Sequence, residues 1–284
     1  MNARFSFANV ADAATLSAGS WLAAAPLANL QQQFLSLRAR STNDDAASTQ
    51  LRVDLGAVSA PARLVAFARH NLSTAATYRV TAGTTAGGSD VYDSGTDEAW
   101  PAVFSSLELP WEAPNFWYGQ ISEADAAAYP ISLIHDCGSN ISARYWTIYF
   151  TDTANPSNYV ELSRLWMGLF WSPQRNYSFG AQFGWEARDV NDRSLGGVMF
   201  SERRDPARVL RLTFKGLTAS EAYGTVLDAQ RRLGTAGQLW VLPAPNDLAR
   251  RHRRSFMARF REVSPITQSF ANLFENAMEL EEIL

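Results

Sequence analysis

The chain has 284 residues, 46% of them hydrophobic, and a formal net charge of −3; that length holds one large domain or two ordinary ones, and that composition fills real cores, which excludes disorder as the default. The small negative charge argues against a general nucleic-acid binder and against adhesion to anionic membranes, since both draw on a strong positive excess. Of the 25 basic residues only Lys215 is a lysine, a skew better explained by a GC-rich coding genome than by the bidentate pairing that suits arginine to interfaces.

Cys137 is the only cysteine, so an intrachain disulfide and a cysteine-built zinc cage are both ruled out, and folding in a reducing cytosol is expected. Asn9 and Asp12 fall where a signal peptide needs an unbroken apolar core. No run approaches the ~18 apolar residues of a membrane-spanning helix. The expectation is a protein made soluble in the cytoplasm, with no cleaved leader and no membrane insertion.

Residues 16–40 read as loop, a short helical turn and a strand, and the polar stretch from Ser41 to Ser48 as a surface loop. In Leu51-Arg-Val-Asp-Leu-Gly56 apolar and charged residues alternate, the period-two mark of a strand with one wet face, and Gly56 ends it. Ala62–Ala68 and Thr77–Gly83 read as two strands around a corner, with a further strand starting at Val91. From Trp100 to Tyr129 the pattern is irregular and aromatic, with Phe104, Trp111, Phe116, Trp117 and Tyr118 set among prolines. A loop of that length inside a compact domain is usually functional or an interface.

The stretch that organises the first half is Arg144-Tyr-Trp-Thr-Ile-Tyr-Phe150, then a turn-rich segment to Asn158, then Tyr159–Gly168. β-branched and aromatic residues fill both runs, and Asp, Asn, Pro and Ser fill the gap, which predicts two strands and a loop. Trp146, Ile148 and Phe150 share one face of the first strand, as in a sandwich strand buried on one side. After Trp171-Ser-Pro173 the texture changes. Asn176–Arg188, Ser194–Glu202 and Arg208–Lys215 read as strands. Thr218-Ala-Ser-Glu221 is a capping box that opens a helix over 219–233, with Ala222, Val226, Ala229 and Leu233 on one face and Gly234 as its stop. Strands at 238–242, 255–263 and 268–281 complete the chain. This predicts a mainly β protein of two domains: residues 1–172, a β-sandwich of jelly-roll type, and residues 173–284, a β-rich domain crossed by one helix.

The search for chemistry returns little. The three histidines, His70, His135 and His252, lack metal-ligand spacing, and no nucleophile elbow, P-loop or dinucleotide fingerprint is present. His135-Asp-Cys137 places an imidazole and a thiol on one strand face without a group to orient the base, so a buried or loop thiol is the favoured reading. Asp152 and Asn155 offer too few oxygens for calcium, and turn capping is the better account. No metal, cofactor or catalytic residue is expected. Trp100, Trp111, Trp117 and Tyr118 are candidates for stacking on sugar rings or for contact with a protein partner, against core or subunit-interface packing. Arg250, Arg251, Arg253 and Arg254 form the strongest charge cluster; it reads as a solvated turn before the strand at Ser255 or as a basic patch at an assembly interface, and it lacks the interleaved aromatics of a nucleic-acid site.

Leu51–Gly56, Phe67-Ala-Arg-His-Asn-Leu-Ser73 and the 144–162 strands with Asp152 resemble the discoidin-like, galactose-binding-type jelly roll. With Phe170-Trp-Ser-Pro-Gln-Arg-Asn-Tyr177, Gly184-Trp-Glu186 and the acidic Glu279-Leu-Glu-Glu282, the whole chain is similar to minor tail or tail-tip (baseplate) proteins of long-tailed bacteriophages and prophages. The C-terminal half also resembles the tube-type β-sandwich of tail proteins. The resemblance implies a non-enzymatic structural component of the virion's tail tip, made in the bacterial host's cytoplasm, that forms a homo-oligomeric ring or joins one and links neighbouring tail or baseplate proteins or fibres. The alternative is a carbohydrate-binding module that attaches a particle to a host cell-surface glycan.

Overall fold

The computed structural model describes residues 2–56, 60–104, 108–113, 115–117, 119–122 and 132–284. In chain order its strands are β1 (Arg4–Ser6), β2 (Thr15–Ser17), β3 (Arg38–Arg40), β4 (Leu51–Asp54), β5 (Pro61–His70), β6 (Thr77–Gly83), β7 (Tyr92–Asp93), β8 (Asp97–Glu98), β9 (Leu133–Ser142), β10 (Tyr145–Thr151) and β11 (Glu161–Gly168). They continue with β12 (Gln182–Glu186), β13 (Val190–Arg193), β14 (Met199–Glu202), β15 (Ala207–Leu217), β16 (Leu239–Leu242), β17 (Phe256–Glu262), β18 (Thr267–Phe270) and β19 (Leu273–Glu282). Helix α1 runs from a π-helical turn, Ser220–Val226, into Leu227–Leu233, and α2 spans Leu248–Arg254. The protein is mainly β, built from antiparallel sheets.

The chain divides into two units: a sandwich unit, Ala8–Phe170 with Asn246–Arg254, and a second unit, Met1–Phe7 with Trp171–Pro245 and Ser255–Leu284. The sandwich unit is a jelly-roll type pair of sheets, one ordered β2-β4-β10-β6-β7 with β8 also on β6, the other β3-β11-β5-β9. β10 lies between β4 and β6, with Trp146 opposite Val53 on one side and Ala82 on the other. Its predicted inward face is buried as expected: Trp146, Ile148 and Phe150 are wholly covered and pack with Leu51, Val53, Val65, Phe67 and Leu165. Covering an aromatic side chain of this size stabilises by roughly 1.5–3 kcal/mol over leaving it exposed. The strand at Leu51 ends at Asp54, two residues before the predicted stop at Gly56, whose φ of +81° is open to glycine and strained for other residues.

The second unit holds a seven-stranded sheet ordered β1-β16-β17-β19-β15-β12, with β18 paired to β19. Phe5, Phe214, Val241, Phe256 and Phe260 fill its core, and α1 adds Ala222 and Val226. The capping box forms reciprocally: the Glu221 amide donates to Thr218 Oγ1 at 3.3 Å, and the Thr218 amide donates to Glu221 Oε2 at 3.0 Å. Glu221 Oε1 also accepts from the Gln174 amide at 2.7 Å. Among the described residues β13 and β14 pair only with each other, as a hairpin turned at Ser194-Leu-Gly-Gly-Val198.

Two features differ from the linear reading of the sequence. Residues predicted to start the first domain form β1, which pairs with β16 through Phe5 opposite Val241, so the N-terminus belongs to the second unit. Phe5 and Trp171 exchange backbone bonds of 2.8 and 2.7 Å, which sets the change of unit at residue 171. The Arg250–Arg254 run, expected as a turn, is helical, and with residues from Asn246 onward it belongs to the sandwich unit. Arginine is a good helix former, and Asp247 compensates the run's charge.

Candidate functional site

The aromatic segment after β8 is rooted in the sandwich by a set of backbone and side-chain bonds. β8 pairs with β6 through Asp97 opposite Tyr78, and the Ala99 amide donates to Ala76 at 2.9 Å. The Trp100 indole N–H donates to the Leu72 carbonyl at 3.1 Å, and its ring meets that of His70 edge-on, centroids 5.7 Å apart. Gln120 returns to the root, its Nε2 donating to the Trp100 carbonyl at 3.0 Å and to Glu98 at 3.3 Å. The amides of Val103 and Phe104 both donate to the Gly119 carbonyl. Gly119 has φ +61°, and a Cβ there would stand 2.4 Å from the Phe104 carbonyl oxygen, so the closure demands glycine.

The predicted aromatic candidates separate. Trp100 is 5% exposed and serves the root, whereas Trp111 and Trp117 are 74% and 82% exposed. Phe116 meets Trp117 edge-on at 5.2 Å, which leaves the indole held yet open. Tyr118 lies outside the described residues. An exposed indole offers a flat, electron-rich face, suited to the C–H face of a sugar ring or to an apolar partner. The arginine candidates sit on α2. Arg250 and Arg254 each approach Asp247 at 3.6 Å, Arg251 donates to the Ile134 carbonyl at 3.1 Å, and Arg253 lies 5.9 Å over the Phe104 ring.

Sequence reasoning gave the histidines no partners, and the fold supplies them for His135 and His70. His135, on β9, is bracketed by the Tyr78 hydroxyl, 3.1 Å from Nδ1, and the Tyr92 hydroxyl, 2.9 Å from Nε2, and Asp97 Oδ2 stands 3.5 Å from Nδ1. Burial pushes this imidazole below its ordinary pKa, with Asp97 opposing the shift and Arg251 adding to it. Cys137 also meets Tyr92, and burial pushes its thiol up to about 12, which leaves it protonated and poorly nucleophilic. His70, on β5, accepts the Leu72 amide at Nδ1 (3.2 Å), and burial alone drives its pKa down to about 3. A cavity of about 60 Å³ beside the root is lined by Tyr78, Glu98, Trp100, Ser132, Arg251 and His252, among others. Only long-range pairing supplies the partners of His70 and His135, and nothing in the spacing of positions 70, 135 and 252 announces them.

Among the described residues no group of three or more His, Cys, Asp or Glu is placed to hold a metal ion, and no helix is long and apolar enough to cross a membrane. Asp152 is used as a turn cap: it accepts from the Ser73 amide at 2.8 Å and from Asn155 Nδ2 at 2.9 Å.

The second unit carries a different surface. β12 is an edge strand bearing Phe183 and Trp185, both partly exposed, and the hairpin that follows exposes Val190, Leu195, Val198, Met199 and Phe200. Phe179 is also exposed.

No family model and no curated protein matches the chain. Among solved structures, CBM32-1 from a family 31 glycoside hydrolase from Clostridium perfringens is similar at 13% identity, covering 57% of this chain and 99% of that one with a TM-score of 0.36.

Proposed function

We propose that the protein is a non-catalytic binding protein whose sandwich unit recognises a carbohydrate through the aromatic loop, with Trp117 and Trp111 as stacking surfaces. The observation that carries this is the exposure of both indoles on a loop whose root is anchored by the buried Trp100 and closed by Gln120. Stacking gives affinity for the apolar face of a pyranose, and polar groups beside it select among sugars. The test is a glycan array followed by fluorescence titration of the full chain. Sugar-dependent quenching that Trp117→Ala or Trp111→Ala removes, with the melting temperature unchanged, supports the reading; a blank array, or binding that survives both substitutions, sinks it.

A second role rests on a different observation, the apolar surface of Phe183, Trp185 and the β13–β14 hairpin. It favours self-association through the second unit, as the resemblance to tail-tip proteins implies, with the sandwich unit left to hold a glycan or a neighbouring protein. In a closed ring each modest interface repeats, so weak contacts suffice. Sedimentation of the full chain over a hundredfold range of concentration tests it: a discrete oligomer that Leu195→Ser with Phe200→Ser dissolves is the expected result, and a monomer throughout is the contrary one. A virion tail tip is the setting that the sequence resemblance implies for both roles.

A further inference from the structure

Two of the three histidines are buried in the root of the aromatic loop, and neither can take up a proton without breaking what it holds. The Nδ1 of His70 is occupied as an acceptor of the Leu72 amide; a proton there would set two N–H groups against each other and place a charge beside the Trp100 ring. Leu72 also supplies the carbonyl that anchors the Trp100 indole, so both ends of that contact depend on one residue. His135 ties the two sheets together, since β9 lies in one and the tyrosines on β6 and β7 lie in the other. When neutral it donates to one tyrosine and accepts from the other; when protonated it donates to both, and one hydroxyl proton loses its acceptor.

The charges facing His135 are Asp97 from β8, Asp136 beside it on β9 and Arg251 from α2, with Tyr78, Tyr92 and Cys137 as the neutral titratable groups. The carboxylates favour the imidazolium; burial and Arg251 oppose it and prevail. Asp97 belongs to β8, the strand that begins the root, and Arg251 is the tether of α2 to β9. Moving His135 therefore disturbs both.

We propose that His70 and His135 act together as an acid-sensitive lock on the root of the aromatic loop, keeping Trp100 seated at neutral pH and releasing it on acidification, with loss of the sugar held further along the loop. The lock deepens the carbohydrate-binding reading and rests on it for the identity of what is released. The direction follows from linkage. Each imidazole is less basic when the root is closed than when it is open, so the closed root is most stable above the ordinary histidine pKa of about 6.5 and loses ground as pH falls below it. At pH 5 an imidazole freed to its ordinary basicity shifts the equilibrium toward the open root by at most about thirtyfold.

The experiment is hydrogen exchange on the full chain at pH 7.5 and 5.0, corrected for the intrinsic pH dependence of exchange. The expected result is loss of protection at 70–72 and 97–104, about tenfold or more at pH 5, with β15 and β19 unchanged. His135→Gln and His70→Asn, which keep hydrogen-bonding capacity without titrating in this range, each remove part of the effect, and together they abolish it. Equal protection at both pH values overturns the proposal, as does a pH effect that the double variant retains. Should the variants fail to fold, the wild-type ring resonances decide: a His135 that titrates at about 6.5 or above while the root stays protected overturns the lock. Sugar binding is measured separately at both pH values. Its absence at both sinks the carbohydrate reading while the lock is judged on exchange alone; equal binding at both, with the root loosened, overturns the link between them.

Discussion

β10 in the sandwich unit and β12 in the second unit are both short strands that place large apolar residues at every second position, Trp146, Ile148 and Phe150 in one and Phe183 and Trp185 in the other, and the fold uses them in opposite ways. β10 has a strand on each side and the second sheet above it, so Trp146, Ile148 and Phe150 are wholly buried. Among the described residues β12 pairs only with β15 and ends its sheet; Phe183 reaches Phe256 edge-on at 6.2 Å, yet Trp185 stays 46% exposed. Alternation in the sequence says which side chains share a face. Whether that face is covered depends on neighbours the strand itself does not specify, and an apolar face left bare is a place for a partner.

The widest separation is expected between two tryptophans. Trp146→Ala removes a side chain that is enclosed on all sides and should cost about 3–5 kcal/mol of unfolding free energy. Trp185→Ala, on the edge strand, should cost no more than about 1 kcal/mol. Urea denaturation of the two variants checks the pair, and similar losses would break the comparison by showing that β12 is packed as tightly as β10.

Comparable in size is a buried charge in the second unit. Arg208 on β15 and Glu282 on β19 form a paired contact, with Arg208 Nε 2.8 Å from Oε2, and the side chains are 1% and 4% exposed. Arg208→Ala leaves the carboxylate buried with much of its compensation gone and should destabilise by about 3–5 kcal/mol. Replacing both by apolar residues of similar volume, Arg208→Met with Glu282→Leu, should recover most of that loss. A double variant as unstable as the single one would show that Glu282 holds the sheet through its bond to the Arg208 amide as well.

What the sequence made legible was local. The period-two pattern of Leu51–Leu55, the glycine that follows it, the inward face of β10 and the reciprocal bonds of Thr218 and Glu221 all depend on residues a few positions apart, where propensity and side-chain reach decide the outcome. The illegible features are long-range. β1 reads as part of the domain that follows it because nothing in Arg4-Phe-Ser6 names β16 as its partner. The arginine run lacks the apolar periodicity that marks a helix, although its helix propensity is good. Trp100 and Trp117 look alike in a run of aromatics; only the Leu72 carbonyl and the His70 ring distinguish the buried one from the exposed one. The setting of His135 between Tyr78 and Tyr92 is of the same kind, since sheet pairing brings distant positions together without leaving a motif.

The smallest effect on stability is predicted for the hairpin, and it is the most informative about the uncovered surface. Among the described residues β13 and β14 pair with no third strand, and an isolated two-stranded ribbon is marginal in water, so the rest of the fold draws little support from it. Leu195→Ser with Phe200→Ser should therefore leave the urea midpoint of a dilute sample within about 0.5 kcal/mol of wild type. At high concentration the two proteins should part company. Association stabilises the folded state by mass action, so a self-associating wild type gains melting temperature with concentration and the double variant does not. A variant already unstable when dilute would mean that the hairpin belongs to the core of its own unit. Equal concentration dependence in both would mean that the self-association surface lies elsewhere, with Phe183 and Trp185 on the edge strand the next place to substitute.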